Sequence, residues 1–126
     1  MKEIIRTDNA PSSPYFSQAV KAGSTIYVSG IVGTDPATSK LAGPTIGEQV
    51  RQSLENCRAI LRSAGADLDN VVEVQVLLAR PEDFAGLNEA YLEFFPSDGP
   101  ARSVAKLGVE IPNVLVSIKM TAYVGP

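Results

Sequence analysis

Residues 45–65 read TIGEQVRQSLENCRAILRSAG, and residues 71–79 read VVEVQVLLA. The first stretch has a helical period. Ile46, Val50, Leu54, Cys57, Leu61 and Ala64 recur at steps of three and four and make one apolar stripe. Glu48, Arg51, Glu55, Arg58 and Arg62 occupy the opposite face. Thr45 is a good N-cap, and Glu48 three residues on completes a capping box. Gly65 stops the helix, which the pattern places over Ile46 to Ala64. The second stretch has a period of two. Val72, Val74, Val76 and Leu78 alternate with Val71, Glu73, Gln75 and Leu77, which predicts a strand over Val71 to Ala79. A one-striped helix followed by a strand points to a helix layer packed on a sheet.

Working outward, Val20 to Gly23 and Thr25 to Gly33 read as a hairpin closed near Ala22-Gly23-Ser24. Ile26, Val28 and Val32 are expected on one face of its second strand, and Tyr27, Ser29 and Ile31 on the other. Glu3 to Arg6 suits a short edge strand. Asn9 to Pro14 and Thr34 to Pro44 read as loops. Pro81 opens a second helix that Pro96 ends at Phe95, with Phe84, Leu87, Tyr91 and Phe95 as its buried stripe. Ala101 to Leu107 and Val114 to Val124 are the last strands. The main order is β-β-α-β-α-β-β, an α+β two-layer sandwich with both helices on one face of a mixed sheet and right-handed crossovers. The other face would carry Tyr27, Ile31, Val71, Leu77, Leu115 and Tyr123 beside Glu73, Gln75, Ser117, Lys119 and Thr121. A half-apolar sheet face left in water is a liability, so neighbouring subunits are expected to cover it. A monomer with a mixed solvated face is the alternative.

The chain has 126 residues, 44% apolar and 20% charged, which suits a single domain over 1–126 with its own core. A net charge of −3 argues against a dedicated nucleic-acid binder. Cys57 is the only cysteine, so no intrachain disulfide forms and a reducing compartment fits. No histidine is present, which excludes histidine metal sites, Ser-His-Asp triads and Cys-His dyads. Residues 1–6 lack the apolar core of a signal peptide and no segment suits a membrane span, so the expected location is the cytoplasm.

Four segments carry a family resemblance: Asn9-Ala10-Pro11 with Pro14-Tyr15-Phe16-Ser17-Gln18-Ala19; Val28-Ser29-Gly30; Gln49 to Gly65; and Phe84 to Phe95 with Asn88 and Tyr91, followed by Gly99-Pro100-Ala101-Arg102-Ser103. Together they span almost the whole chain. They resemble the RidA/YjgF family of reactive-intermediate (imine) deaminases. The resemblance implies a chorismate-mutase-like fold and a homotrimer with three equal sites between subunits. It implies hydrolysis of reactive 2-imino or enamine acids to 2-keto acids and ammonia, with no metal or cofactor.

Carried over residue by residue, the resemblance makes Arg102 the substrate-binding arginine. A guanidinium grips a carboxylate with two parallel hydrogen bonds and does not titrate away. By composition alone it would read as a surface strand arginine. Gly30 lies where backbone N–H groups approach the carboxylate, and Ser29 and Ile31 flank it as further substrate-binding candidates. Tyr15 is similar to the loop tyrosine lining the family's pocket. Asn88 either orients a ligand or satisfies a backbone group. Ser103 should face away from Arg102 and have a structural role. One departure matters. Deaminase-competent members carry a water-positioning glutamate on the last strand, where this chain has Ser117 within Val116-Ser117-Ile118-Lys119. A serine hydroxyl can hold a water but is a poor general base. Three functions follow: an imine deaminase using Arg102 and Ser117, a trimeric carboxylate-binding or regulatory protein with little turnover, and a ribonuclease or translation inhibitor. The absence of histidine and the acidic balance weaken the last. The expected partners are a small 2-imino or 2-keto acid and copies of the chain itself, with neither nucleic acid nor membrane.

Overall fold

The computed structural model describes residues 1–126. Its elements are β1 (Lys2–Ile5), β2 (Ala19–Ala22), β3 (Thr25–Val32), β4 (Thr34–Asp35), β5 (Lys40–Leu41), α1 (Ile46–Ser63), β6 (Val71–Leu78), α2 (Phe84–Phe94), β7 (Ala101–Lys106) and β8 (Val116–Tyr123). Short 3-10 turns, Leu68–Asn70 and Pro81–Asp83, precede β6 and α2. The order keeps the expected β-β-α-β-α-β-β, preceded by β1, the edge strand expected near Glu3 to Arg6. It adds β4 and β5, a small ribbon within the stretch expected to be loop.

The main sheet is six-stranded and mixed, in the order β1-β2-β3-β8-β6-β7. Only β6 and β7 are parallel, as the α2 crossover between them requires. Both helices pack on one face, giving the α+β two-layer architecture. The capping box at Thr45 forms as expected: its hydroxyl accepts the Glu48 N–H, and the Glu48 side chain accepts the Thr45 N–H. Val50, Leu54, Cys57 and Leu61 are fully buried against Val28, Val76, Ile118 and Met120 within one core.

Two β-bulges correct the expected faces. In β3 the register slips between Val28 and Ile31, so Ile31 pairs with Ile118 and is buried, while Val32 pairs with Ser117 on the open face. In β6 it slips between Val71 and Glu73, so Val71 is buried and Val72 is exposed. Strict alternation had assigned the reverse. Leu115 was also expected on the open face; it lies before β8 and is buried, its N–H donating to Gln49 Oε1 at 2.9 Å. Phe84, expected in the buried stripe of α2, is 47% exposed, and Ala90 fills the core there. Tyr27, Tyr123, Lys119, Gln75 and Glu73 remain exposed on the face opposite the helices. No helix is long and apolar enough to cross a membrane.

Candidate functional site

The predicted residues fall into two groups at different places. The first surrounds a groove of about 590 Å³ on the open side of the sheet. Gly30, Val32 and Ser117 border its sheet side, the loop from Thr7 to Ser13 with Phe16 forms one wall, and Leu107 and Ile111 form another. Ser117 comes from β8 and is half-buried. A Cβ at Gly30 would fall 2.9 Å from Ser117 Oγ, so the bare glycine backbone keeps this floor open.

Buried polar side chains hold the groove's walls. Gln18 accepts the Thr7 N–H at 2.7 Å and donates Nε2 to the carbonyls of Thr7, Ala10 and Pro11, which ties up the N-terminal loop. On α1, Ser53 Oγ donates to the Ile31 carbonyl at 2.7 Å, and Asn56 Nδ2 donates to those of Val32 and Thr34. Gln49 donates to the Gly43 and Asn113 carbonyls and accepts the Leu115 N–H. These bonds satisfy backbone groups at the end of β3, in β4 and in the loops before α1 and β8. The sequence reading missed all three α1 residues. Their signal was there: Gln49, Ser53 and Asn56 are spaced by four and three along the edge of the apolar stripe.

Three other candidates near this groove have plainer positions. Ile31 borders it but is buried, its side chain turned into the core. Ser29 Oγ donates to the Ser17 carbonyl at 2.6 Å, and the Ser29 N–H donates to the Gln18 carbonyl, so Ser29 pins the loop. Tyr15 is 92% exposed and lines an adjoining polar groove with Arg6 and Gln18. Phe16, which the reading passed over, is the loop aromatic beside Ser117's groove.

The second group lies on the helix side, at the β7 edge. Arg102 pairs in register with Val74, a core-facing residue, whereas Ser103 pairs with Gln75 on the open face, opposite as expected. The Arg102 guanidinium carbon sits 4.8 Å from the Tyr91 ring centroid and 6.0 Å from that of Phe84. Asn88 is half-buried between those two aromatics, four residues from one and three from the other. Four of the six arginines, Arg51, Arg58, Arg62 and Arg80, are paired with carboxylates. Arg102 has no carboxylate partner. Burial pushes the Tyr91 phenol above its ordinary range, partly opposed by the Arg102 charge, so it stays neutral beside the cation.

The groups do not meet within one chain. Ser117 is in register with Leu77, and Leu77 with Ala105, three residues from Arg102. Strand spacings of about 4.8 Å and a rise of about 3.3 Å per residue put the two backbones roughly 14 Å apart. Their side chains also leave opposite faces of the sheet.

Comparison with known proteins gives this geometry a context. Residues 7–124 match the family model described as Endoribonuclease L-PSP. A RutC family protein of Pyrococcus horikoshii is 42% identical over 98% of both chains. The human 2-iminobutanoate/2-iminopropanoate deaminase is 38% identical over 100% of this chain and 93% of its own. The crystal structure of RidA from an Antarctic Psychrobacter superposes with a TM-score of 0.90 at 37% identity, covering 96% of this chain and 98% of that one. With the sheet, the helices and nearly the whole sequence in common, this chain belongs to the RidA/YjgF family.

Proposed function

We propose that the chain hydrolyses reactive 2-imino or enamine acids to 2-keto acids and ammonia, in a site assembled between two copies of a homotrimer. The observation that carries this reading is the separation of the two groups. An unpaired guanidinium stands at one edge, and a groove floored by Gly30 and Ser117 opens on the other face. Docking the edge of one copy against the groove of the next would bring anchor and reaction centre together. It would also cover Tyr27 and Tyr123, which a lone chain leaves exposed. The name of the human relative supports the chemistry.

In this reading Arg102 binds the substrate carboxylate through two parallel hydrogen bonds and Asn88 borders it. Backbone N–H groups around Gly30 approach the same anion. Water held by Ser117 Oγ adds to the imine carbon while the C=N electron pair moves to nitrogen. A proton passes from the added water to that nitrogen. The C–N bond then breaks and the added oxygen gives up its second proton, which the departing ammonia takes up, so that the C=O of the keto acid forms. Protonated imines are already electrophilic, so positioning does most of the work and a strong base is unnecessary.

A second reading rests on Ser117 itself. Without a carboxylate to activate water, the protein binds small 2-keto or 2-imino acids as a regulatory trimer with little turnover. One assay separates the two. An amino-acid oxidase generates the 2-imino acid, and loss of the semicarbazide-trapped imine is followed for wild type and Arg102→Ala. Acceleration by wild type that Arg102→Ala abolishes supports the deaminase. A rate equal to the enzyme-free control, with 2-oxobutanoate still binding, supports the regulatory reading.

A further inference from the structure

We infer that Tyr91 is the positioning residue for Arg102, its ring face fixing the guanidinium in the direction that meets the substrate carboxylate; this rests on the reading of Arg102 as the carboxylate anchor. Arg102 lies on an exposed edge strand, and no carboxylate holds it. A free arginine there would sample many rotamers, and ordering it on binding would weaken capture. The Tyr91 ring removes much of that freedom. The guanidinium carbon is 4.8 Å from its centroid, inside cation–π range.

The ring is a rigid platform. Tyr91 is 7% exposed, belongs to the main core and packs against Phe95, with centroids 4.9 Å apart and planes tilted by 34°. Phe84, at 6.0 Å and about half exposed, is a weaker second face. Stacking leaves the guanidinium edge and its N–H donors free, whereas an ion pair would occupy them. The phenol hydroxyl does not take part: it is buried without a hydrogen-bond partner, and burial keeps it protonated. The arginine therefore responds to the π face, and the hydroxyl is dispensable for the role.

The test uses the full chain with 2-oxobutanoate as the probe, titrated calorimetrically, beside KM and kcat for imine hydrolysis. The variants are Tyr91→Phe, a graded series of ring-fluorinated phenylalanines at position 91, and Arg102→Ala. Fluorination nearly preserves shape while draining the ring's negative face, so a purely structural role would not respond to it. Tyr91→Phe is expected to bind within about twofold of wild type. Kd and KM should then rise stepwise with fluorination, to about fivefold, with kcat and melting temperature nearly constant. A flat series, with binding lost in Arg102→Ala, overturns the role of Tyr91 and leaves the anchor standing. Failure of wild type to bind, or wild-type binding by Arg102→Ala, overturns the anchor and this inference with it.

Discussion

Gln49 offers the sharpest test of how the loops before α1 and β8 are held to the core. Its side chain is fully buried, donates to the Gly43 carbonyl at 3.0 Å and the Asn113 carbonyl at 2.9 Å, and accepts the Leu115 N–H at 2.9 Å. Gln49→Ala removes all three bonds and leaves the buried Leu115 N–H without a partner. A net hydrogen bond is worth about 1 kcal/mol, and an orphaned buried donor costs about 1–3 kcal/mol. The two carbonyls are only partly buried and recover some hydration, so the total comes to about 3 kcal/mol. For this length the unfolding entropy is about 0.26 kcal/mol/K, which converts the loss to a fall of about 11 °C in Tm. Scanning calorimetry at one fixed protein concentration measures it, because assembly would make Tm depend on concentration. Gln49→Glu should not restore stability: it keeps an acceptor for Leu115 but sets carboxylate oxygens against two carbonyls. A fall of less than about 3 °C in Gln49→Ala would show that these bonds contribute little to stability. A Gln49→Glu variant as stable as wild type at neutral pH would show that the two donated bonds are dispensable.

Ser117→Glu places a carboxylate at the edge of the groove. If water activation limits turnover, kcat for imine hydrolysis should rise by about tenfold or more, with a new acidic limb in the pH profile; an unchanged rate shows that the step is not limiting. Gly33→Ala would put a Cβ 2.5 Å from the Gln49 carbonyl oxygen and 2.8 Å from its Cα, both backbone atoms that cannot rotate away. The strand and α1 must separate, at a cost of about 1–3 kcal/mol, which thermal unfolding should register as a fall of about 4–11 °C. Burial pushes the Cys57 thiol from 9.0 up to about 12, so the folded protein should not react with a disulfide reagent at pH 8 except through opening. The fold binds this proton more tightly than the unfolded chain does. Its contribution to stability is therefore complete below pH 9.0 and lost as pH rises towards about 12, and Cys57→Ala should flatten that alkaline decline.

The sequence carried the elements well and the faces less well, for a physical reason. Helix α1 was legible because its cap, stripe and stop agree, and burial followed the stripe at Val50, Leu54, Cys57 and Leu61. Alternation in β8 was likewise followed, with Val116, Ile118, Met120 and Ala122 inward. In β3 and β6 the same rule failed because each contains a bulge, and a single extra residue reverses every assignment on one side of it. Gly30 hinted at the first bulge. Val71-Val72 offered no hint of the second, since both residues suit either face.

The β3 bulge also shapes the candidate site. It turns Ile31 inward and puts Val32 beside Ser117, leaving Gly30 as bare backbone against the serine hydroxyl. A regular strand would have carried Ile31 onto the open face, where its side chain would crowd the groove floor. The carbonyls of Ile31 and Val32, just past the irregularity, accept from Ser53 and Asn56 on α1. The polar residues along that helix stripe thus stabilise a local departure from regular pairing that the open floor requires. Arg102 needed no such compensation, since β7 is a regular edge strand with Tyr91 beneath it. The motif pointed to Arg102, Gly30 and Ser117 alike; what it did not carry is the bulge that sets Gly30 against Ser117.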